Sequence, residues 1–458
     1  MAVEQATKPQ LVTEGAGALT GEAFAALRRE FAANPANRLA QNAVTRVSID
    51  DVALNHAIVT GIDHTFSHHL DDWAVTNQKK SGRCWMFAGL NLFRVGAMQR
   101  MGLKHFEFSQ NYTLFWDKLE RANYFLEAII ETADRDVDDR TVAYLLSRPI
   151  DDGGQWNMFV SLVKKHGLVP QAFMPETESS SNTMRMNGIL RSVLRQGAKT
   201  LRDRHAAGAG LEELRAAKEG VLAVVYRVLN IHLGTPPEHF TWQWTDKDKV
   251  FHRDEDVTPQ EFATRYVSLP IDEYVCLVND PRPTSPYGRT FTVEYLGNVV
   301  GGAMVKYLNV EIGLMKELAQ RAIVAGEPVW FGCDVGKQMR RDLGIWDKNL
   351  YDYGALYGTA FTLDKAARLE YHETLMTHAM LFTGVDIADG APRRWRVENS
   401  WGEENGQKGF YTMNDSWFDE YTFEIAARKS EIPAELQRAL DQEPIVLPAW
   451  DPMGSLAR

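Results

Sequence analysis

Three cysteines in 458 residues, Cys84, Cys276 and Cys333, are too few and too scattered for a disulfide framework or a thiolate zinc site. That scarcity fits a reducing compartment. Long apolar runs are also missing: no window reaches the roughly 18 apolar residues of a membrane-spanning helix. Residues 1–20 have neither the basic start nor the apolar centre of a secretory leader. A cytoplasmic protein with no membrane partner is expected. Positive charge is short as well, with 50 Lys and Arg against 61 Asp and Glu and a net charge of -11. Nucleic-acid binding depends on cations that neutralise phosphates, so it is not expected of the whole molecule. His64, His68 and His69 lack acidic or cysteine partners to complete a ligand set. No metal or organic cofactor is called for.

What the chain does have is 45% hydrophobic residues, enough for a large core and, by length, two or three domains. One stretch carries chemistry, Asn77-Gln78-Lys79-Lys80-Ser81-Gly82-Arg83-Cys84-Trp85-Met86-Phe87-Ala88. Gly82 permits a tight turn, and Phe87, Leu90, Val95 and Met98 recur at roughly helical intervals after it, which predicts a helix beginning at Cys84. The start of a helix offers unpaired N–H groups and partial positive charge, the setting that favours a thiolate. Gln78 lies six residues upstream, where its amide can join the Cys84 N–H in stabilising an oxyanion. Taken alone, Cys84 reads equally as a small buried hydrophobe, the commonest fate of a free cysteine. Cys276 and Cys333 sit in apolar, strand-like runs and are assigned to the core.

Two distant stretches favour the chemical reading of Cys84. Thr377-His378-Ala379-Met380-Leu381-Phe382 puts a histidine at the mouth of an apolar strand, and Arg396-Val397-Glu398-Asn399-Ser400-Trp401-Gly402 puts an asparagine at the end of the next. A histidine can take the thiol proton and return it to a leaving amine, and an asparagine oxygen can fix its tautomer. Trp401 is placed to shield that contact. His372 is a rival base, but its surroundings, Tyr371-His372-Glu373, have the polar character of a loop.

The order Gln…Cys-Trp…His-Ala…Asn-Ser-Trp-Gly resembles the papain-like cysteine peptidases. Gly82-Arg83-Cys84-Trp85 departs from the Gly-Ser-Cys-Trp of papain itself and is similar to the bleomycin hydrolase and aminopeptidase C branch. Segments of the same character run from about residue 20 to the end, among them Phe115–Asn123, Asp152-Gly153-Gly154-Gln155-Trp156, Pro328–Gly336 and Leu447–Gly454. The resemblance implies an α+β, papain-like two-lobe fold with a helical lobe, a β-barrel-like lobe, a large insertion and a C-terminal arm. The segments expected are 1–75 as a lead-in, 76–175 as the helical lobe, 176–300 as an insertion, 301–435 as the β-rich lobe and 436–458 as the arm. Cys84 and His378 are 294 residues apart, against about 130–150 in papain-type enzymes, which is what the insertion accounts for.

It further implies a cytosolic cysteine aminopeptidase that acts on peptides with a free N-terminus. Amine-bearing amides and thiolactones, such as bleomycin and homocysteine thiolactone, are expected substrates, and the insertion is expected to build a homohexamer. Cys84 is then nucleophile, His378 general base and acid, Asn399 its orienting partner and Gln78 an oxyanion donor. Gly154, Trp85, Trp401 and Ala457 border the substrate, with the arm lying in the cleft and its end carboxylate facing the substrate amine. In that branch the last residue is self-trimmed, which here predicts a cut between Ala457 and Arg458. Two other classes share some of these features. Cysteine-dependent acyltransferases use a similar Cys-His-Asn/Asp set, although the Cys-Trp and Asn-Ser-Trp-Gly contexts fit a peptidase better. A nucleic-acid-binding oligomer rests only on a basic helix over 185–204 with Arg191, Arg195 and Lys199, whose Leu190, Val193, Leu194 and Leu201 are expected to pack inward.

Overall fold

The computed structural model describes residues 17–70 and 73–457. The expectations for residues 1–16 and for Arg458, including the cut before it, lie outside the described residues. Two compact units are formed.

The smaller unit combines residues 17–61 with 349–362. Its first helix, α1 (Gly21–Ala33), begins where Thr20 accepts a hydrogen bond from the Ala23 N–H at 3.2 Å, a side-chain cap on the first turn. Asn34 then caps α2 (Pro35–Val44), with proline at the first helical turn where its missing N–H costs nothing. The returning segment is tied to the lead-in by backbone bonds, Asn55 N–H to Leu350 O at 2.9 Å and Asp352 N–H to Ala53 O at 2.7 Å.

The larger unit holds a central helix, α3 (Cys84–Met101), which Gly102 ends in the left-handed conformation. Fifteen of its eighteen residues are buried, so it is a core helix whose exposed residues, Gln99 and Arg100, lie in its last turn. In the same core as α3 lie α4 (Gln110–Glu131), α5 (Trp156–His166), α6 (Met184–Ala206) and α7 (Leu211–Leu233), while α8 (Ile312–Val324) belongs to a second core. Helix α6 is the basic helix expected from the sequence: Leu190, Leu194 and Leu201 are buried, Val193 is partly so, and Arg195 caps the backbone carbonyls of Leu146 and Ser147.

Strands β1 (Phe240–Thr245) and β2 (Phe251–Val257) form a separate hairpin. The remaining strands of three residues or more, β3 (Tyr274–Val278), β4 (Thr290–Val293), β5 (Tyr307–Asn309), β6 (Val329–Cys333), β7 (His378–Ala388), β8 (Ala391–Glu398), β9 (Phe410–Asn414), β10 (Thr422–Arg428) and β11 (Ile445–Leu447), join one mixed sheet in the order β11-β4-β5-β3-β10-β6-β7-β8-β9. The α+β class expected from the sequence is observed. One core lies between α3, the helices and one part of the sheet, around Trp85, Phe93, Trp156 and Trp330. A second lies around Phe331, Phe382, Trp395 and Phe418, where the Phe331 and Phe382 rings stack at 3.8 Å.

The sequence reads as turn-rich over Trp242–Asp248 and as a polar, serine-rich loop over 176–183, and both readings need correction. Trp242–Asp248 is not simply turn: Trp242 and Trp244 belong to β1 and stack on each other at 5.9 Å, and the turn begins only at Asp246. The serine-rich loop expected at 176–183 contains a short helix, Glu178–Ser181, closed by a capping box between Thr177 and Ser180.

Candidate active site

Register brings His378 and Asn399 together. Strands β7 and β8 form an antiparallel pair in which Leu381 faces Glu398, so the first residue of β7 and the residue just past β8 emerge at the same sheet end. There His378 Nε2 donates to Asn399 Oδ1 at 2.9 Å, and both residues are almost fully buried. The Trp401 ring lies 4.9 Å from that of His378 and covers this contact. On the other side of β7 stands β6, where Cys333 is paired with His378 in register.

Helix α3 points its N-terminus at the same place. Cys84 is its first residue, and the Ala379 N–H, one residue beyond His378, lies 3.4 Å from Cys84 Sγ. Burial pushes the Cys84 thiol up to about 12, although the N–H groups of Ala379, Trp85 and Cys84 itself oppose that shift. A thiol with this burial stays protonated at neutral pH unless a neighbouring base takes its proton.

Gln78 arrives by a strand-like pairing: its N–H donates to Ser400 O at 2.8 Å, and the Gly402 N–H donates to Thr76 O at 3.1 Å. Its side chain is held at both ends. Ser400 Oγ donates to Gln78 Oε1 at 2.6 Å, and Gln78 Nε2 donates to Ser81 O at 2.5 Å, which leaves one of the two amide hydrogens to spare.

Trp85, Gly154 and Ala457 form an adjoining group. Gly154 and Ala457 exchange two backbone hydrogen bonds, 3.0 and 3.2 Å, in antiparallel pairing. A Cβ added to Gly154 would stand 2.4 Å from the Trp85 ring, so only glycine fits against that ring. His372 lies apart, exposed in a turn with φ +58°. Cys276 and Cys333 are fully buried, as expected.

A model of the peptidase C1-like family matches residues 18–454. The chain belongs to the peptidase C1-like family. Bleomycin hydrolase of Homo sapiens is 44% identical to it over 449 residues, covering 96% of this chain and 99% of that one. Aminopeptidase C of Streptococcus thermophilus is 46% identical over 429 residues, covering 93% and 96%. The crystal structure of PepW from Lactobacillus rhamnosis HN001 matches with a TM-score of 0.95 at 46% identity, covering 96% of this chain and all of that one. The resemblance read from the motifs is borne out, and this peptidase C1-like chain is a cysteine-type peptidase.

Several residues of this family member position the site without having been expected. Ser400 lies inside the Asn-Ser-Trp-Gly motif, and its short hydroxyl beside Asn399 was the available signal. Glu398 is buried at the end of β8, where it accepts from Arg94 at 2.7 Å, Asn91 at 2.8 Å and Trp73 at 2.7 Å, binding α3 to the strand that presents Asn399. Arg83 is fully buried and forms a two-pronged pair with Glu176 at 2.8 and 2.7 Å, fixing the turn before Cys84. Asp152 accepts from Lys118, Asn187 and Thr183, and these contacts hold its carboxyl far below the usual range despite burial. Its backbone carbonyl takes the Trp85 indole N–H at 2.7 Å. Such partners come from distant segments, so nothing in their local sequence marks them.

Proposed function

We propose that this chain is a cysteine aminopeptidase that releases residues from peptides with a free N-terminus. The observation that carries the reading is the convergence of Cys84, His378, Asn399 and Gln78 from separate segments, with Ala457 of the arm laid along Gly154 beside them.

In this reading His378 takes the Cys84 proton and the thiolate attacks the scissile carbonyl. The Cys84 N–H and the spare Gln78 amide hydrogen then receive the oxyanion. His378 returns the proton to the leaving amine, and a water activated by the same imidazole releases the acyl group. Asn399 keeps the ring oriented throughout, and Trp401 keeps water from its hydrogen bond.

The arm supplies specificity. Backbone pairing with Gly154 is the mode by which an extended chain would bind there, and the arm already takes it. Long chains upstream of the cleaved bond are therefore blocked, and short amine-bearing amides and thiolactones are accepted with peptides. Relatives named bleomycin hydrolase and aminopeptidase C are compatible with both substrate types. The same resemblance supports a cytosolic homohexamer.

Hydrolysis of aminoacyl fluorogenic amides and their N-acetylated counterparts by wild type and Cys84→Ala tests this. Cleavage of free-amine substrates only, lost in Cys84→Ala, is expected. Equal cleavage of acetylated substrates by wild type would overturn the aminopeptidase reading.

A further inference from the structure

Residues 451–457 are fastened by polar contacts along their length. Arg282 pairs with Asp451 at 2.9 Å, Tyr307 Oη donates to Met453 O at 3.2 Å, and Ser455 Oγ donates to Met376 O at 2.7 Å. Gln155 Nε2 donates to Ser455 O at 2.6 Å, and Ala457 pairs with Gly154.

Beneath this stretch is a small cavity, about 10 Å³, room for a single water. Pro452 and Met453 roof it, and Glu424 of β10, Gln155, Tyr307 and Met376 are among its other walls. Two buried acceptors on those walls have no hydrogen-bond donor among the described residues, Glu424 Oε1 and Gln155 Oε1. Gln155 has turned its donor to the arm, and neither Pro452 nor Met453 donates to Glu424 Oε1. A carboxylate closed under such a roof keeps at most the one water that the cavity can hold and gains no cation. A hydrogen on the carboxyl removes that conflict.

We propose that Glu424 is the proton-operated seat of the arm: the arm closes over it only when the carboxyl carries a proton, so proton uptake governs how fully the cleft is blocked to longer chains. The consequence for cleavage rests on the aminopeptidase reading above; the coupling of the arm to the proton does not.

Burial holds the Glu424 carboxyl up to about 8, with a contact from Cys276 opposing it. Once the arm lifts, water returns and the carboxyl moves back toward its ordinary range. The seated state thus binds the extra proton, and seating is strongest below the ordinary carboxylate range and is lost progressively as pH rises toward 8. The limit is about tenfold per pH unit in the seated-to-open ratio. Other titratable groups facing this region behave differently. Cys276 and Tyr307 are pushed well up by burial and stay neutral throughout. Asp451 is committed to Arg282. Lys365, on the helix that carries the cavity residue Leu369, is pulled down to about 7, but it points to Asn279 and to the carbonyls of Asp419 and Thr422. It needs its own control.

The experiment is hydrogen exchange of the 445–457 segment in the full chain from pH 6 to 8, corrected for intrinsic exchange, in wild type, Glu424→Gln and Lys365→Met. Wild-type protection should fall several-fold or more across this range, Glu424→Gln should stay protected and flat, and Lys365→Met should keep the wild-type slope. Activity on acetylated peptides should rise with pH only where protection falls. A flat wild-type profile overturns the proposal even if no variant folds, and so does an unchanged slope in Glu424→Gln. Falling protection without a gain of internal cleavage would leave the proton coupling standing and refute the arm's role in specificity.

Discussion

Replacing His378 by alanine isolates what the imidazole does for Cys84. Without a base, burial leaves the thiol near 12, so at pH 7 only about one molecule in 10⁵ carries a thiolate. His-paired cysteines typically titrate near ~4 and are almost fully ionised at that pH. The more basic thiolate of the variant is intrinsically more nucleophilic, which over roughly eight units at a Brønsted slope of about 0.4 restores about three orders of magnitude. The net expectation is an alkylation rate about 10²-fold lower at pH 7. The pH profile discriminates better than the rate: the variant should gain about tenfold per pH unit from 7 to 10, whereas wild type should be nearly flat. Iodoacetamide labelling followed by mass spectrometry of the Cys84 peptide measures both, and access past the arm is common to the two proteins. If His378→Ala reacts at neutral pH as fast as wild type, with the same flat profile, the thiolate does not depend on His378 and the proposed ion pair is wrong.

Ser400→Ala removes the hydroxyl that fixes the Gln78 amide and should lower kcat about tenfold with little change in KM, since the lost contact acts on the oxyanion donor. Steady-state kinetics would check it, and a pure KM effect would contradict it. Gly154→Ala drives a methyl group into the Trp85 ring and should cost about 1–3 kcal/mol in chemical denaturation and loosen the arm. Glu176→Ala strands the buried Arg83 guanidinium and should destabilise by about 3–5 kcal/mol, whereas replacing both partners by apolar residues should recover much of the loss.

The catalytic candidates were legible because each sits in a short segment whose neighbours declare its place: a glycine before a helix start for Cys84, an apolar strand after His378, a strand end before Asn399. The elements bearing them follow suit: α3 begins at Cys84, β7 begins at His378 and β8 ends one residue before Asn399. Helix α7 has no counterpart among the expected elements. Its exposed Val224, Tyr226 and Ile231 blur the apolar stripe formed by Val225, Leu229 and Leu233. The β1–β2 hairpin was masked by Arg253-Asp254-Glu255-Asp256, which is charged throughout and shows no alternation. Buried acids such as Glu398, Asp152 and Glu424 look in the sequence like any surface acid, since only the fold reveals what surrounds them.

Cleavage by the chain shortened before Ala449 tests the central claim most directly. Wild type and the shortened form are compared on one peptide set carrying free and acetylated N-termini, with products located by mass spectrometry. The account predicts that at pH 6, where the arm is seated, wild type removes residues only from free N-termini, and that the shortened form keeps Cys84-dependent activity and gains cleavage of acetylated peptides and internal bonds. Identical product patterns from the two forms would contradict it: the arm would then have no part in selecting where the chain is cut.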